Sequence, residues 1–434
     1  MEILIVGNGI AGNEVATCLR ASGRNDITIT ILSAESFPEY DPCSLPYFVG
    51  KEIERDAVFR RSLADYEKND IRLVLNQKAT TIDPAKKTVT TETGDEYAYD
   101  KLVLAHGGSL FIPPIPGINK EGIFSCKLLG EADRLAAGHG KTAVVVGSGA
   151  IGIEAAEALR LKGCTVYIVE LLPWMMPTLF CEPAARRLEE AMRGYGIEIL
   201  TGEKVLSFEG DQRVSSVVTD KRTIICDTVV VATGVVPGKP LAQTAGIQVA
   251  RGILANEKME TNVKDIYTCG DCVQTKDSLS GEDCMYQLKH NATEQARIVA
   301  RNILGENAVY PGGYPFARAH FFDTHAVTFG KTLRSAEAVF NKEDIEIIER
   351  ENQNGYLRLM LHDGRIIGGQ AIGHYADYTG LFMGFMWRKD NINDLKANWG
   401  KIAAPVTTYP SQFREFGQLI GLSAVDADQK VIFC

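Results

Sequence analysis

Two short glycine-rich runs carry the plainest chemistry in this 434-residue chain. Gly7-Asn-Gly-Ile-Ala-Gly12 and Gly147-Ser-Gly-Ala-Ile-Gly152 share one spacing. Its first glycine permits a tight turn, its second lets the backbone approach a pyrophosphate, and its third lets a helix pack on a strand. A helix that starts in such a turn aims unpaired N–H groups at phosphates. Each run is followed by an acidic residue able to hold ribose hydroxyls. Glu35 comes 23 residues after Gly12, and Glu170 comes 18 after Gly152. Two copies, each with its acidic partner, predict two bound dinucleotides. Glu170 would repel a 2′-phosphate, and no Arg follows it in Leu171-Leu172-Pro173, so the second dinucleotide is expected to be NADH rather than NADPH.

A third candidate is Cys43, in Asp41-Pro-Cys-Ser-Leu-Pro-Tyr47. A cysteine thiolate attacks disulfides and polysulfides, whereas a buried thiol behaves as a small apolar group. The ten Cys are otherwise scattered. Cys269 and Cys272 form a CxxC that suits a redox pair or half of a zinc site, but no second CxxC accompanies it. No four Cys are spaced for an iron–sulfur cluster, so any cluster is expected on another protein. The seven His show no HxxxH or HExxH spacing, and no metal site is expected. His320 and His325 flank the start of a late region that differs in pattern from the rest.

Elements that could position these residues are legible around them. Ile3 to Val6 is a short apolar run, Gly12 to Ala21 has helical spacing, and Ile27 to Leu32 is β-branched, which together make a βαβ unit. The pattern returns at Thr142 to Val146, Ile151 to Leu161 and Thr165 to Val169. Between the two units, Phe111 to Gly117 holds three prolines and reads as a connector. A strand ending at Ala232-Thr-Gly234 and an apolar run from Asp265 to Cys269, closed by Gly270-Asp271, read as returns toward the first unit. From about Phe321 the pattern becomes alternating strands, at Ala326 to Phe329, Tyr356 to Leu361 and Arg365 to Ala371. Helical spacing follows from Tyr378 to Trp387. The expected class is α/β, with two Rossmann-like dinucleotide-binding domains and a C-terminal α+β interface domain. Residues 1–112 and 246–320 would form the first domain, 113–245 the second and 321–434 the third.

Composition closes off other classes. With 45% hydrophobic and 23% charged residues the chain is globular, not disordered. A net charge of −9 offers no cationic field for nucleic acid or an anionic membrane. No apolar run approaches the roughly 20 residues that cross a bilayer. A strand starting at once at Glu2, with no signal-like stretch before it, and scattered cysteines predict a cytoplasmic protein with reduced thiols.

In this order the motifs resemble those of the two-dinucleotide-binding flavoprotein, or pyridine nucleotide-disulfide, oxidoreductases, over nearly the whole chain. Val231-Ala-Thr-Gly-Val-Val-Pro237, Tyr267-Thr-Cys-Gly-Asp271 and Asn291-Ala-Thr-Glu-Gln295 are similar to later motifs of that family. The resemblance implies FAD on the first turn, held by Gly7, Gly9, Ile10, Ala11, Gly12, Glu35, Gly107 and Asp271. It implies NADH on the second, held by Gly147, Gly149, Ile151, Gly152, Glu170 and Gly234. The CxxC straddles Asp271 at the wrong part of the cofactor for a redox pair. Two positions depart from the pattern: Gly238 stands where Asn is common, and Ala105-His-Gly107 replaces the frequent Ala-Thr-Gly.

The CxxxxC pair and C-terminal His-Glu of glutathione reductase-like members are missing. A lone Cys before Leu-Pro-Tyr instead resembles the branch of coenzyme A disulfide reductase, NADH oxidase, NADH peroxidase and persulfide reductase. This implies hydride transfer from NADH to FAD, then to a small disulfide, coenzyme A disulfide, persulfide or polysulfide through Cys43. Ile10 stands where oxidase and peroxidase members carry His, which argues against oxygen or peroxide as acceptor. Thr407-Thr-Tyr-Pro-Ser-Gln-Phe413 only partly resembles the late Tyr-Ala-Pro-Pro-Tyr of coenzyme A disulfide reductases. Val6 to Gly12 and Gly373 to Tyr378 are closer to nitrite reductase flavin domains. That leaves open an electron-transfer subunit that exchanges electrons with iron–sulfur partners without Cys43 chemistry. A non-catalytic nucleotide sensor is a third reading, disfavoured by two intact turns. The acceptor is thus a small molecule or a protein, and the third domain implies a homodimer. Cys434 could shuttle electrons from a tail, although a terminal Cys is usually incidental.

Overall fold

The computed structural model describes residues 1–397. The readings made above for Thr407 to Phe413 and for Cys434 lie outside them. By contacts the described chain forms two compact units, one of Met1–Leu172 with Gly196–Tyr314, the other of Pro173–Tyr195 with residues 315–397. Both dinucleotide-type folds therefore share the first unit, while the segment 173–195 joins the C-terminal one.

Ile3, Leu4, Ile5 and Val6 are all buried, as suits a parallel strand covered on both faces. Glu2–Val6 pairs in parallel with Thr28–Leu32 on one side and with Lys101–Leu104 on the other. Ile71–Val74 and Ile266–Thr268 complete a five-stranded parallel sheet. The helices Ile10–Ala21 and Lys289–Ile303 pack together over it through Val15, Ala16, Leu19, Ala296, Val299 and Ile303. A second five-stranded parallel sheet repeats the plan, in the order Ile197–Thr201, Thr165–Glu170, Thr142–Val146, Thr228–Val231, Ile123–Phe124. The helix Ala150–Leu161 follows the strand Thr142–Val146. Two crossing strands, Gly108–Leu110 and Val235–Pro237, pair antiparallel where the chain passes between the two folds. The two Rossmann-like folds expected from the sequence are thus present, with the proline-rich stretch as their connector.

Two small antiparallel meanders carried no clear sequence signal. Ala79–Asp83, Thr88–Thr91 and Glu96–Ala98 form one, and Val205–Glu209, Ser216–Thr219 and Thr223–Ile225 the other. Their strands are only three to five residues long, too short for a period to register.

In the second unit five antiparallel strands run in the order Phe316–Phe321, Thr324–Gly330, Arg365–Gly373, Gly355–His362, Ile345–Asn352. The last is an edge strand, Ile-Glu-Ile-Ile-Glu-Arg-Glu-Asn, mostly exposed, which explains why no apolar pattern announced it. The helices Glu182–Gly194 and Thr379–Arg388 pack on this sheet. No helix among the described residues is long and apolar enough to cross a membrane.

Candidate active site

The first glycine-rich turn is built by close backbone packing. Gly7 has φ +119°, a conformation that favours glycine, and a Cβ there would lie 2.2 Å from the Ala105 carbonyl oxygen. A Cβ on Gly12 would lie 2.0 Å from the Gly7 oxygen, so the helix can start this close only without a side chain. Gly9 is the opposite case, with nothing within 4 Å of its Cβ position. It opens the helix N-terminus at Ile10 to an anion. Ala11 is buried and its methyl faces Gly270, where a Cβ would come within 3.1 Å of it.

A cavity of about 590 Å³ opens from this turn and is lined by Gly7, Gly9, Glu35, His106, Gly107 and Asp271 among others. The structure thus brings together residues from four separate stretches of the sequence. Glu35 accepts hydrogen bonds from the Tyr40 hydroxyl at both carboxyl oxygens, 3.1 and 2.9 Å. Burial pushes its pKa up, and the Tyr40 hydroxyl opposes this. Burial also raises the Asp271 carboxyl, against the charge of Lys127. Gly107 adopts φ +66° with open space around it. A glycine-rich turn open at Gly9, beside a cavity edged by the carboxyls of Glu35 and Asp271, fits FAD.

The second turn repeats this construction. A Cβ on Gly147, at φ +100°, would lie 2.5 Å from the Ala232 oxygen, and one on Gly152 would lie 2.2 Å from the Gly147 oxygen. Gly149, like Gly9, has open space, and Ile151 is half-buried in the first turn of its helix. Gly234, at φ +114°, accepts the Phe111 N–H through its carbonyl, 2.9 Å. Glu170 stands at the end of its strand, where Oε2 accepts the Ser148 N–H at 2.9 Å and the Ser148 hydroxyl at 2.6 Å. Its Oε1 accepts the Leu172 N–H at 2.8 Å. The carboxylate therefore braces the turn itself as well as placing a negative charge beside it.

Among the described cysteines Cys43 is the exposed one; Cys18 and Cys181 are intermediate and the rest buried. It sits in a one-turn 3-10 helix, Pro42–Ser44, and its N–H donates to Asp41 Oδ1 at 3.1 Å. Pro42 lines the cavity of the first turn. The residue is exposed, while its thiol is largely surrounded by protein. Desolvation, then the carboxylates of Asp41 and Glu154, push its pKa up to about 11, with Lys289 pulling the other way. A neutral thiol is thus the resting form at pH 7. Lys289 is meanwhile paired with Asp41.

Sequence reasoning missed Glu154 and Lys289. Glu154 lies in the helix that follows the second turn; burial first and then the neighbouring Glu157 raise its pKa to about 7. Nothing in its local pattern marks a carboxyl as buried, because helical Glu is ordinarily solvated. Cys269 and Cys272 are fully buried, and the Cys272 thiol donates to the Leu104 and Cys269 carbonyls at 3.4 and 3.3 Å, as core thiols do. His320 and His325 stack with ring centroids 4.5 Å apart, on paired strands of the second unit. Among the described residues no cluster of three or more His, Cys, Asp or Glu could hold a metal.

Residues 1–296 match the family model described as pyridine nucleotide-disulphide oxidoreductase. The chain is 29% identical over 385 residues to nitrite reductase [NAD(P)H] of Bacillus subtilis, covering 88% of this chain but 46% of that protein. It is 28% identical over 405 residues to the epsilon subunit of NADH-dependent phenylglyoxylate dehydrogenase of Aromatoleum evansii, covering 92% and 94%. Among solved structures, a NAD-dependent persulfide reductase from A. fulgidus superposes with a TM-score of 0.85 at 28% identity, covering 92% and 79%.

Proposed function

This chain belongs to the pyridine nucleotide-disulphide oxidoreductase family and is an FAD-dependent NADH oxidoreductase; we propose that it passes electrons to a small disulfide, persulfide or polysulfide through Cys43. The observation that carries this reading is that Cys43, alone among the described cysteines, is exposed, on a turn whose Pro42 borders the first cavity. The likeness to a persulfide reductase supports it.

Gly7, Gly9, Ile10, Ala11, Gly12, Glu35, Gly107 and Asp271 would hold FAD, and Gly147, Gly149, Ile151, Gly152, Glu170 and Gly234 would hold NADH. The domains would be 1–112 with 246–320, then 113–245, then 321–434 for pairing into a homodimer. FAD bound by the residues named above would supply two-electron chemistry, linking hydride from the nicotinamide to the reducing equivalents needed at Cys43. Cys43 then acts as nucleophile: its thiolate attacks one sulfur of R–S–S–R, forms Cys43–S–S–R and expels RS⁻. Two electrons return Cys43 to the thiolate and release the second RS⁻. Glu154, whose charge acts on Cys43 and whose own pKa is raised to about 7, would be the group to take the Cys43 proton and return it to the departing thiolate.

A second reading rests on the raised Cys43 pKa. If the thiol stays neutral, electrons leave instead to a protein acceptor, as in an electron-transfer subunit; the likeness to the phenylglyoxylate dehydrogenase subunit and to nitrite reductase favours this. Anaerobic NADH titration of wild type and Cys43→Ser separates the two. An extra two electrons taken up by pre-oxidised wild type and not by the variant supports the thiol route. Matching titrations at one NADH per FAD, after prior reduction is excluded, support the protein acceptor.

A further inference from the structure

The two positions that depart from the family pattern, His106 and Gly238, touch each other. His106 Nε2 lies 2.5 Å from the Gly238 carbonyl oxygen. A carbonyl only accepts, so Nε2 carries the proton, and the lone pair of the neutral ring is on Nδ1. Nδ1 is buried and has no hydrogen-bond partner in the protein. His106 lines the cavity that the first glycine-rich turn shares with Glu35 and Asp271, and the adjoining cavity as well. Burial lowers the His106 pKa from its ordinary value, opposed by the Gly238 carbonyl, so the ring is neutral at pH 7. An orphaned acceptor of this kind calls for a donor. Of the sugar and phosphate groups that a glycine-rich turn holds, the phosphates only accept, whereas the sugar hydroxyls donate.

We propose that His106 is a cofactor-binding residue whose Nδ1 accepts a hydrogen bond from a sugar hydroxyl of the FAD seated on the first glycine-rich turn. Gly238 makes this possible in two ways. Its carbonyl fixes the tautomer, and its missing side chain leaves room for the ring. The inference rests on the assignment of that turn to FAD.

The test is FAD dissociation from the purified full-length flavoprotein, read as fluorescence of released flavin on dilution from pH 5 to 8. Glu35, Lys78, Lys127 and Asp271 line the same cavity, and Lys120, Glu121, Glu131, Arg134 and Arg213 the adjoining one. All remain in His106→Gln, so the difference between the two proteins reports His106. Wild type should lose FAD affinity toward acid, by up to about tenfold per pH unit once the ring protonates. His106→Gln keeps a donor and an acceptor but does not titrate. It should bind FAD within about threefold of wild type at pH 8 and lack that His-dependent acid limb. His106→Phe should bind FAD about tenfold more weakly at pH 8, with NADH affinity unchanged. An acid limb that persists unaltered in His106→Gln, or His106→Phe retaining wild-type FAD affinity, overturns the proposal. So does a loss confined to NADH. Wild type that carries no FAD would instead overturn the assignment of the turn itself.

Discussion

A Cβ on Gly238 would stand 2.7 Å from Cδ2 and 2.9 Å from Nε2 of His106, so a histidine at 106 requires a glycine at 238. Gly238→Ala should cost about 1–3 kcal/mol in urea unfolding, because the ring is wedged in a buried place and must shift. Adding His106→Ser should cost less than the two single changes summed, since removing the ring removes the clash. Strict additivity would show that the contact does not govern either position.

The glycines of each turn separate fold from ligand. Gly12→Ala should destabilise the protein by about 2–3 kcal/mol, its methyl lying 2.0 Å from a backbone oxygen that cannot move freely. Gly9→Ala meets nothing within 4 Å and has an ordinary φ of −82°. It should change stability by no more than about 1 kcal/mol, yet weaken FAD by roughly tenfold, because a methyl stands where phosphate must approach. Gly149→Ala should do the same for NADH. Unfolding curves and cofactor titrations on the same samples check both halves.

Cys43 should alkylate slowly at pH 7 and reach half its limiting rate near pH 11 when the flavin is removed. Asp41→Asn and Glu154→Gln each delete a carboxylate that raises this pKa, so both should move the midpoint down. Lys289→Met should move it up. Peptide mapping after iodoacetamide treatment reads the rate at Cys43 alone. A midpoint near 8.5 in wild type would contradict the environment described.

Glu154 contributes to the pH dependence of stability with a definite sign. Its folded pKa, about 7, is above the ordinary 4.5, so between those values the folded chain holds more protons than the unfolded one. Stability from this group therefore falls as pH rises from about 4.5 to 7 and stays low above that. Glu154→Gln should flatten that slope and add roughly 1–3 kcal/mol at pH 8, after discounting for partial exposure. Equal slopes in the two proteins would place the carboxyl in solvent.

Glu170→Gln tests the dinucleotide preference. The change removes a charge that repels a 2′-phosphate and turns an amide group toward the Ser148 or Leu172 donors. Total affinity should fall, while the ratio of kcat/KM for NADH over NADPH should narrow by roughly tenfold. A ratio left unchanged would mean that selection lies elsewhere on the turn.

Much of this molecule was decided locally and could be read along the chain. The two glycine-rich turns, their flanking strands and helices, and Glu35 and Glu170 follow from short-range spacing, because a βαβ phosphate turn is a local device. The lone Cys43 was equally visible as a residue. Its chemical state was not: the carboxyl of Glu154 and the ammonium of Lys289 act on it from 111 and 246 positions away. Only folding brings such charges together and removes the water that would screen them. The same holds for His106 and Gly238, which looked like two separate departures in sequence. The crossing of Gly108–Leu110 with Val235–Pro237 makes them one contact, since register between distant strands is set by the sheet and not by either segment alone.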